Sequence, residues 1–179
     1  MDNWKVLSKT HRLKTHILDL YQVEALSPEG KQGHFDVVEC LDWVNIMALT
    51  PNREVILVRQ YRHGTNCQTL EFPGGAINSG EEPLIGAKRE FLEETGYAAS
   101  EWIFLGKSEV NPAFLNNSCH YYLALNCQKT SEQNLDNMEE IEIELKPLSK
   151  LKSAMEKGEI SHALVHAAVA FYLLKGLPL

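Results

Sequence analysis

Gly75-Ala-Ile-Asn-Ser-Gly-Glu81-Glu-Pro83-Leu-Ile-Gly-Ala-Lys-Arg89-Glu-Phe-Leu-Glu93-Glu94-Thr-Gly96-Tyr97 is the stretch from which the rest of the chain is read. Pro83 near its middle and Gly96 near its end predict a helix over residues 83–95. Proline supplies a helical φ where no N–H is needed, and glycine closes a helix in the left-handed conformation. At about 100° per residue, Leu84, Ile85, Ala87, Phe91 and Leu92 share an arc of roughly 160°, which is read as the core face. Glu90, Glu93 and Glu94 share roughly 100° of the other side, where like charges at i, i+3 and i+4 repel by a few tenths of a kcal/mol per pair. Arg89, four residues before Glu93, offsets one charge. The others call for a cation or for plain solvation, and carboxylates are hard oxygen ligands suited to Mg²⁺ or Mn²⁺ shared with waters and phosphates.

The surrounding chain supplies an ordinary globular setting. Its 179 residues include 44% hydrophobic and 23% charged residues, with a formal net charge of −7. A domain of this length buries roughly 70% of its unfolded surface, so disordered, collagen-like and disulfide-dependent classes drop out. The negative excess is local: residues 71–97 hold six acids against two bases and residues 131–145 hold six acids and no base. This balance argues against a nucleic-acid partner. No apolar stretch approaches the roughly 18 residues of a membrane span, and residues 1–15 lack the apolar core of a signal peptide. Cys40, Cys67, Cys119 and Cys127 have no Cys-x-x-Cys spacing, so they are expected to be reduced thiols in a cytoplasmic protein. His162 and His166, at i and i+4, form the one histidine pair spaced for a metal.

Alternating runs on both sides of Ser27-Pro-Glu-Gly predict a strand hairpin within residues 1–40, and Thr50-Pro-Asn-Arg separates two further strands at 42–49 and 54–61. Residues 63–70 read as a loop. Strands follow at 102–106 and 119–126, an acidic loop at 128–140, a half-exposed strand at 141–145, and two helices at 148–157 and 162–174 broken at Gly158. The mixture has no regular βαβ rhythm, which predicts a single α/β domain over 1–179, a mixed sheet with helices packed on it, and residues 1–40 as an N-terminal strand extension.

Gly75, Glu81, Arg89-Glu90-Phe91-Leu92-Glu93-Glu94 and Gly96-Tyr97 reproduce every constant position of the Nudix box, and the chain resembles the Nudix hydrolases on that ground. The resemblance implies an α/β/α sandwich that cleaves nucleoside diphosphates linked to another moiety. It assigns the Gly74 carbonyl, Glu90 and Glu94 as metal ligands and Glu93 as a further ligand among the catalytic carboxylates. Arg89 would orient the glutamates and Glu81 would support the helix start. Two or three Mg²⁺ ions, with Mn²⁺ as a substitute, would neutralise the pyrophosphate and activate water.

The flanks resemble the ADP-ribose and nucleoside diphosphate sugar pyrophosphatase branch. They are Leu57-Val-Arg-Gln-Tyr-Arg-His-Gly, Leu70-Glu-Phe-Pro-Gly-Gly, Pro112, Glu139-Glu-Ile-Glu-Ile and the C-terminal Gly158-Glu-Ile-Ser-His162-Ala. That likeness implies a homodimer built through the N-terminal strands. It makes Arg59 and Arg62 guanidinium forks for phosphate or ribose, Trp43 or Tyr21 a base-stacking ring, and Glu71 a contact to sugar hydroxyls. Glu139 or Glu140 would be the general base, Glu139 first, while Glu142 and Glu144 are expected to point outward for solubility. Where many ADP-ribose pyrophosphatases have Ser-Pro-Gly and acids, this chain has Asn111-Pro-Ala-Phe-Leu-Asn-Asn-Ser. Asn116 and Asn117 can hydrogen-bond a sugar but cannot act as bases, so the expected substrates widen to nucleotide sugars such as ADP-ribose and GDP-mannose. Hydrolysis of nucleoside triphosphates or dinucleoside polyphosphates, or a non-catalytic ADP-ribose-binding module, are the competing readings.

Overall fold

The computed structural model describes residues 3–179. Its contacts divide the chain into two compact units, one running to Asp42 and including Ser108–Ser118, the other comprising Trp43–Lys107 and Cys119–Leu179. The first is an antiparallel meander of β1 (Lys5–Lys14), β2 (Asp19–Leu26) and β3 (Gln32–Glu39). The expected hairpin is present: Ser27 N–H donates to the Lys31 carbonyl at 2.8 Å, and the Ser27 hydroxyl accepts from Lys31 N–H at 3.0 Å. Every residue of β1 is exposed, Trp4, Val6, Leu7 and Leu13 among the apolar residues at or beside it.

The second unit is built on a mixed sheet of order β11-β5-β4-β9-β8, with β6 also pairing with β5. These strands are β4 (Trp43–Leu49), β5 (Glu54–Arg62), β6 (Cys67–Glu71), β8 (Glu101–Glu109), β9 (Ser118–Leu125) and β11 (Ile141–Pro147). Val55, Ile56, Leu57 and Val58 in β5 are all fully buried, which is the fate of a continuous run of Val, Ile and Leu in a sheet covered on both faces. β4 runs parallel to β9, whereas β11 with β5, β4 with β5 and β5 with β6 are antiparallel. The sequence reading of 63–70 as loop is corrected at β6, where Cys67–Glu71 returns along Arg62–Val58 as the second arm of a hairpin. A short pair, β7 (Tyr97–Ala98) with β10 (Gln128–Lys129), likewise lies where the sequence suggested only loop.

Three helices complete the unit: α1 (Pro83–Thr95), α2 (Leu148–Glu156) and α3 (Ala163–Leu174). Successive residues of a strand face opposite sides. Ile46 and Tyr122 share a cluster with Ala87 and Phe91 of α1, whereas Tyr121 stacks at 5.1 Å on Phe171 of α3. The two helices therefore cover opposite faces, giving the α/β/α sandwich. No helix among the described residues is long and apolar enough to cross a membrane, and all four cysteines are free thiols.

α1 begins at Pro83 and ends at left-handed Gly96, whose N–H donates to the Leu92 carbonyl at 2.8 Å, as the punctuation predicted. The face it buries is different. Ile85 and Leu92 are 54% and 41% exposed, while Ala87, Phe91, Glu94 and Thr95 are buried. The core stripe is turned toward Glu94 because the partner on that side is backbone rather than side chain. Pro73 and Gly75 carbonyls accept from Ile46 and Val44 N–H of β4, each at 2.9 Å. Gly74 between them has φ +156°, and a Cβ there would stand 2.1 Å from the Val44 carbonyl oxygen. Gly74→Ala is accordingly expected to lower Tm by roughly 4–8 °C, the response of a domain this size to about 2 kcal/mol of overpacking. Thermal unfolding of the metal-free protein checks this.

Candidate active site

Arg89 organises the acidic face of α1. Its Nε and Nη2 donate to the two oxygens of Glu81 at 2.9 and 2.8 Å, and Nη2 also to the Ala76 carbonyl at 3.0 Å. Nη1 donates to Glu90 at 2.6 Å and Glu93 at 3.2 Å. All five guanidinium N–H groups are thereby engaged. The fork holds the Glu81 carboxyl down at about 2, and Glu81 in turn pushes Arg89 above the usual arginine range.

Glu94 sits apart from that network. It is 6% exposed, and its Oε2 accepts the Gly74 N–H at 2.9 Å. Burial is the main force raising its carboxyl to about 8; Glu90 and Glu139 add to the rise against the pull of the Gly74 N–H. Burial also raises Glu90, against Arg89. The Glu90 carboxylate lies over Gly75, where a Cβ would approach Oε2 to 2.4 Å, so this glycine keeps open the space the carboxylate fills.

Among the described residues, no three His, Cys, Asp or Glu side chains converge on one point as a ready metal cage. Arg89 lies between Glu90 and Glu93, and Glu94 is turned to Gly74. The donor set nevertheless fits a divalent ion. Hard carboxylate oxygens are gathered beside a side-chain-free backbone, and burial, with repulsion from Glu90 and Glu139 added to it, raises one of them far above the carboxylate range. A cation relieves such repulsion.

The second acidic stretch is strapped to the end of α1. Thr130 and Ser131 N–H donate to the Gly96 carbonyl, Asn134 N–H to the Glu93 carbonyl at 2.9 Å, and Gln133 Nε2 to the Glu94 and Ile141 carbonyls. This brings Glu139 within electrostatic reach of Glu90, Glu94 and Arg62, and its Oε2 accepts Asp136 N–H at 3.2 Å. Glu140 instead lines a cleft of about 310 Å³ with Arg59, Tyr61 and Gln68. Glu144 is not solvation alone: it accepts from Arg59 Nη2 at 2.7 Å and pairs with Lys146 at 3.2 Å.

Arg62, at the end of β5, has a different anchor. Its Nε and Nη2 donate to the two oxygens of Glu71 at 2.9 and 2.8 Å. Glu71 is 1% exposed and also accepts from the Thr69 hydroxyl. The expectation of a sugar contact at Glu71 is thus corrected: the carboxylate is enclosed and holds Arg62. Burial tends to raise it, but Arg62 and Thr69 keep it below the usual range. Asn116 and Asn117, also expected at a sugar, serve backbone in the first unit. Asn116 Oδ1 accepts from Cys40 N–H and Asn117 Nδ2 donates to the Leu41 carbonyl, both at 3.1 Å. Trp43 is half-buried and bridges Ala76. His162 and His166 do not share a metal geometry: His166 Nε2 lies 3.0 Å from the Ile160 carbonyl, whereas His162 turns to Glu71. The position of His162 was missed as part of the site, although Gly158-Glu-Ile-Ser-His162 had marked the segment.

The raised Glu94 carboxyl has a measurable sign. Between the unfolded value near 4.5 and the folded value of about 8, the folded metal-free protein holds a proton that the unfolded chain has lost. Stability therefore falls as pH rises through that window. Glu94→Gln, which keeps an acceptor for Gly74 N–H, is expected to flatten the decline in metal-free Tm between about pH 5 and about pH 8.5. Mg²⁺ should restore stability to the parent protein and not to the variant, as followed by calorimetry.

The NUDIX domain family model matches residues 41–167. The chain is 28% identical over 172 residues to an ADP-ribose pyrophosphatase of Bacillus subtilis, spanning 96% of this chain and 93% of that protein. It is 30% identical over 155 residues to an ADP-ribose pyrophosphatase of Mycobacterium tuberculosis, spanning 86% and 75%. A crystal structure of an ADP compounds hydrolase superposes with a TM-score of 0.86 at 22% identity, covering 98% of this chain and 96% of that one, a likeness of fold. With its box intact, its helix and acid cluster in place and its sandwich shared, the chain belongs to the Nudix family.

Proposed function

We propose that this chain is a Mg²⁺-dependent pyrophosphohydrolase that cleaves a nucleoside diphosphate sugar, ADP-ribose or GDP-mannose, to a nucleoside monophosphate and a sugar phosphate. The observation that carries the reading is the carboxylate set of α1, with Glu94 on Gly74, Glu90 over Gly75 and Glu93 tied to them through Arg89, and with the Arg62 guanidinium held within electrostatic reach of Glu94. The names borne by the two relatives support the substrate class.

Bound divalent ions, two or three Mg²⁺ or Mn²⁺ held by Glu90, Glu94, Glu93 and the Gly74 carbonyl, would neutralise the pyrophosphate and acidify a water. Arg89 has no free donor, so its part is to hold Glu90 and Glu93 at fixed positions. Arg62 uses two of its five N–H groups on Glu71 and presents the others to an anion. Arg59, paired with Glu144 at the cleft, offers a second guanidinium and Trp43 an aromatic surface. Glu139, on the strapped loop, takes the proton from the attacking water, with Glu140 as the alternative. The exposed apolar residues of β1 support a homodimer, and the four free thiols fit a reducing cytoplasm.

A panel of ADP-ribose, GDP-mannose, UDP-glucose, diadenosine polyphosphates and triphosphates decides the substrate. AMP with ribose 5-phosphate, or GMP with mannose 1-phosphate, is expected in Mg²⁺ and is abolished by EDTA. Turnover confined to triphosphates or dinucleoside polyphosphates would move the chain to that class, and binding of ADP-ribose without product would make it a binding module. Glu139→Gln should lower kcat about 100-fold with little change in KM; an unchanged rate transfers the base to Glu140. Gly75→Ala should displace the Glu90 carboxylate and lower activity roughly 10–100-fold, while Tm stays close to that of the parent.

A further inference from the structure

His162 stands at the N-cap of α3, yet its side chain makes no cap hydrogen bond to that helix. It turns instead to Glu71, with Nε2 3.6 Å from Oε2, an electrostatic contact just beyond hydrogen-bond length. Its Nδ1 is buried and has no partner among the described residues. A carboxylate only accepts, so the proton belongs on Nε2 and the bare lone pair on Nδ1. The doubly protonated ring would bury an unpaired N–H, and burial together with Arg62 and His166 disfavours that form, against the attraction of Glu71. His162 is thus a neutral donor aimed at a carboxylate with almost no exposure.

Glu71 joins two neighbours of unequal freedom. On one side lies His162, with its side chain 28% exposed; on the other, Arg62, 44% exposed and forked onto both carboxylate oxygens. Arg62 feels the charges of Glu94 and Glu139, so it borders the acid cluster. A long side chain with that exposure loses considerable rotamer entropy when held in one orientation, and a fork onto a rigid, enclosed carboxylate is the means of holding it. The carboxylate itself must be kept from turning, and its Oε2 side is bounded by the imidazole.

We propose that His162 is a positioning residue, which through Glu71 holds the Arg62 guanidinium aimed at the phosphates of the bound substrate. The inference rests on the reading of Arg62 as a phosphate-binding group. It predicts that His162 governs substrate affinity without touching substrate.

His162→Ala should raise KM for the nucleoside diphosphate sugar about two- to three-fold, the lower end of the hydrogen-bond range because the contact is longer than a hydrogen bond, with kcat within about 1.5-fold of the parent. His162→Gln, whose amide nitrogen can take the place of Nε2, should restore most of the affinity. Arg62→Ala should raise KM further, and adding His162→Ala to it should change nothing more, because the imidazole acts through the guanidinium. An independent readout needs no turnover: phenylglyoxal modification of Arg62, located by peptide mass spectrometry in the metal-free protein, should proceed about two- to three-fold faster in His162→Ala once that contact is lost. Additive KM effects of the two substitutions, or unchanged Arg62 modification in a His162→Ala protein of native Tm, would overturn the proposal. If the parent protein hydrolyses no nucleoside diphosphate sugar, the functional reading fails and the modification rates of the parent, Ala and Gln proteins still decide the role of His162.

Discussion

The Arg89 guanidinium is the interaction on which the second unit's chemistry depends. One planar group bonds the Glu81 carboxylate and the Ala76 carbonyl of the loop, and the Glu90 and Glu93 carboxylates of α1. It joins the two halves of the box while neutralising part of the repulsion that three glutamates on one helical turn create. A lysine in its place has three donors on a point charge and could not span the same partners. The site has two grades of carboxylate as a result. Glu81 is locked as a permanent anion, whereas Glu94, enclosed with a backbone N–H as its close partner, holds its proton until a cation or higher pH removes it.

Much of this was legible from residue order. Pro83 and Gly96 bounded α1 correctly, Thr50-Pro-Asn-Arg and Ser27-Pro-Glu-Gly placed two turns, and the spacing from Gly75 to Tyr97 named the family. Those signals are local, and local backbone rules govern them. The burial of Glu94 was not legible. A helical wheel weighs side-chain polarity alone, and it assigned Ile85 and Leu92 to the core; in the fold, α1 meets the Pro73–Gly75 backbone, which prefers small residues and a hydrogen-bonding carboxylate to bulky apolar groups. β6 escaped notice because Cys67-Gln-Thr lacks strong apolar alternation and pairs only because β5 offers an edge. The roles of Glu71 and Asn117 depended on partners 9 and 76 positions away, a separation that pattern does not record.

The two acidic stretches prove different in kind. In the box, the charges are drawn inward and held by one arginine and one backbone N–H. Along residues 131–145, three of the six act apart from one another: Glu132 pairs with Lys129, Glu139 faces the cluster, and Glu144 pairs with Arg59 and Lys146. The net charge of −7 is therefore a poor description of the surface, because the carboxylates of α1 that contribute to it are drawn into the site.

The parallel pairing of β4 with β9 carries a consequence for how the molecule assembles. Trp43 lies opposite Cys119, so the register closes a loop of 76 positions, and the whole box is contained within that loop. Hairpins such as β5–β6 need only a few residues to turn, but closing a long loop loses more chain entropy before any contact repays it. α1 and the Gly74–Gly75 backbone both lie inside that loop, so the acid cluster sits in a segment whose ends are joined by strand pairing.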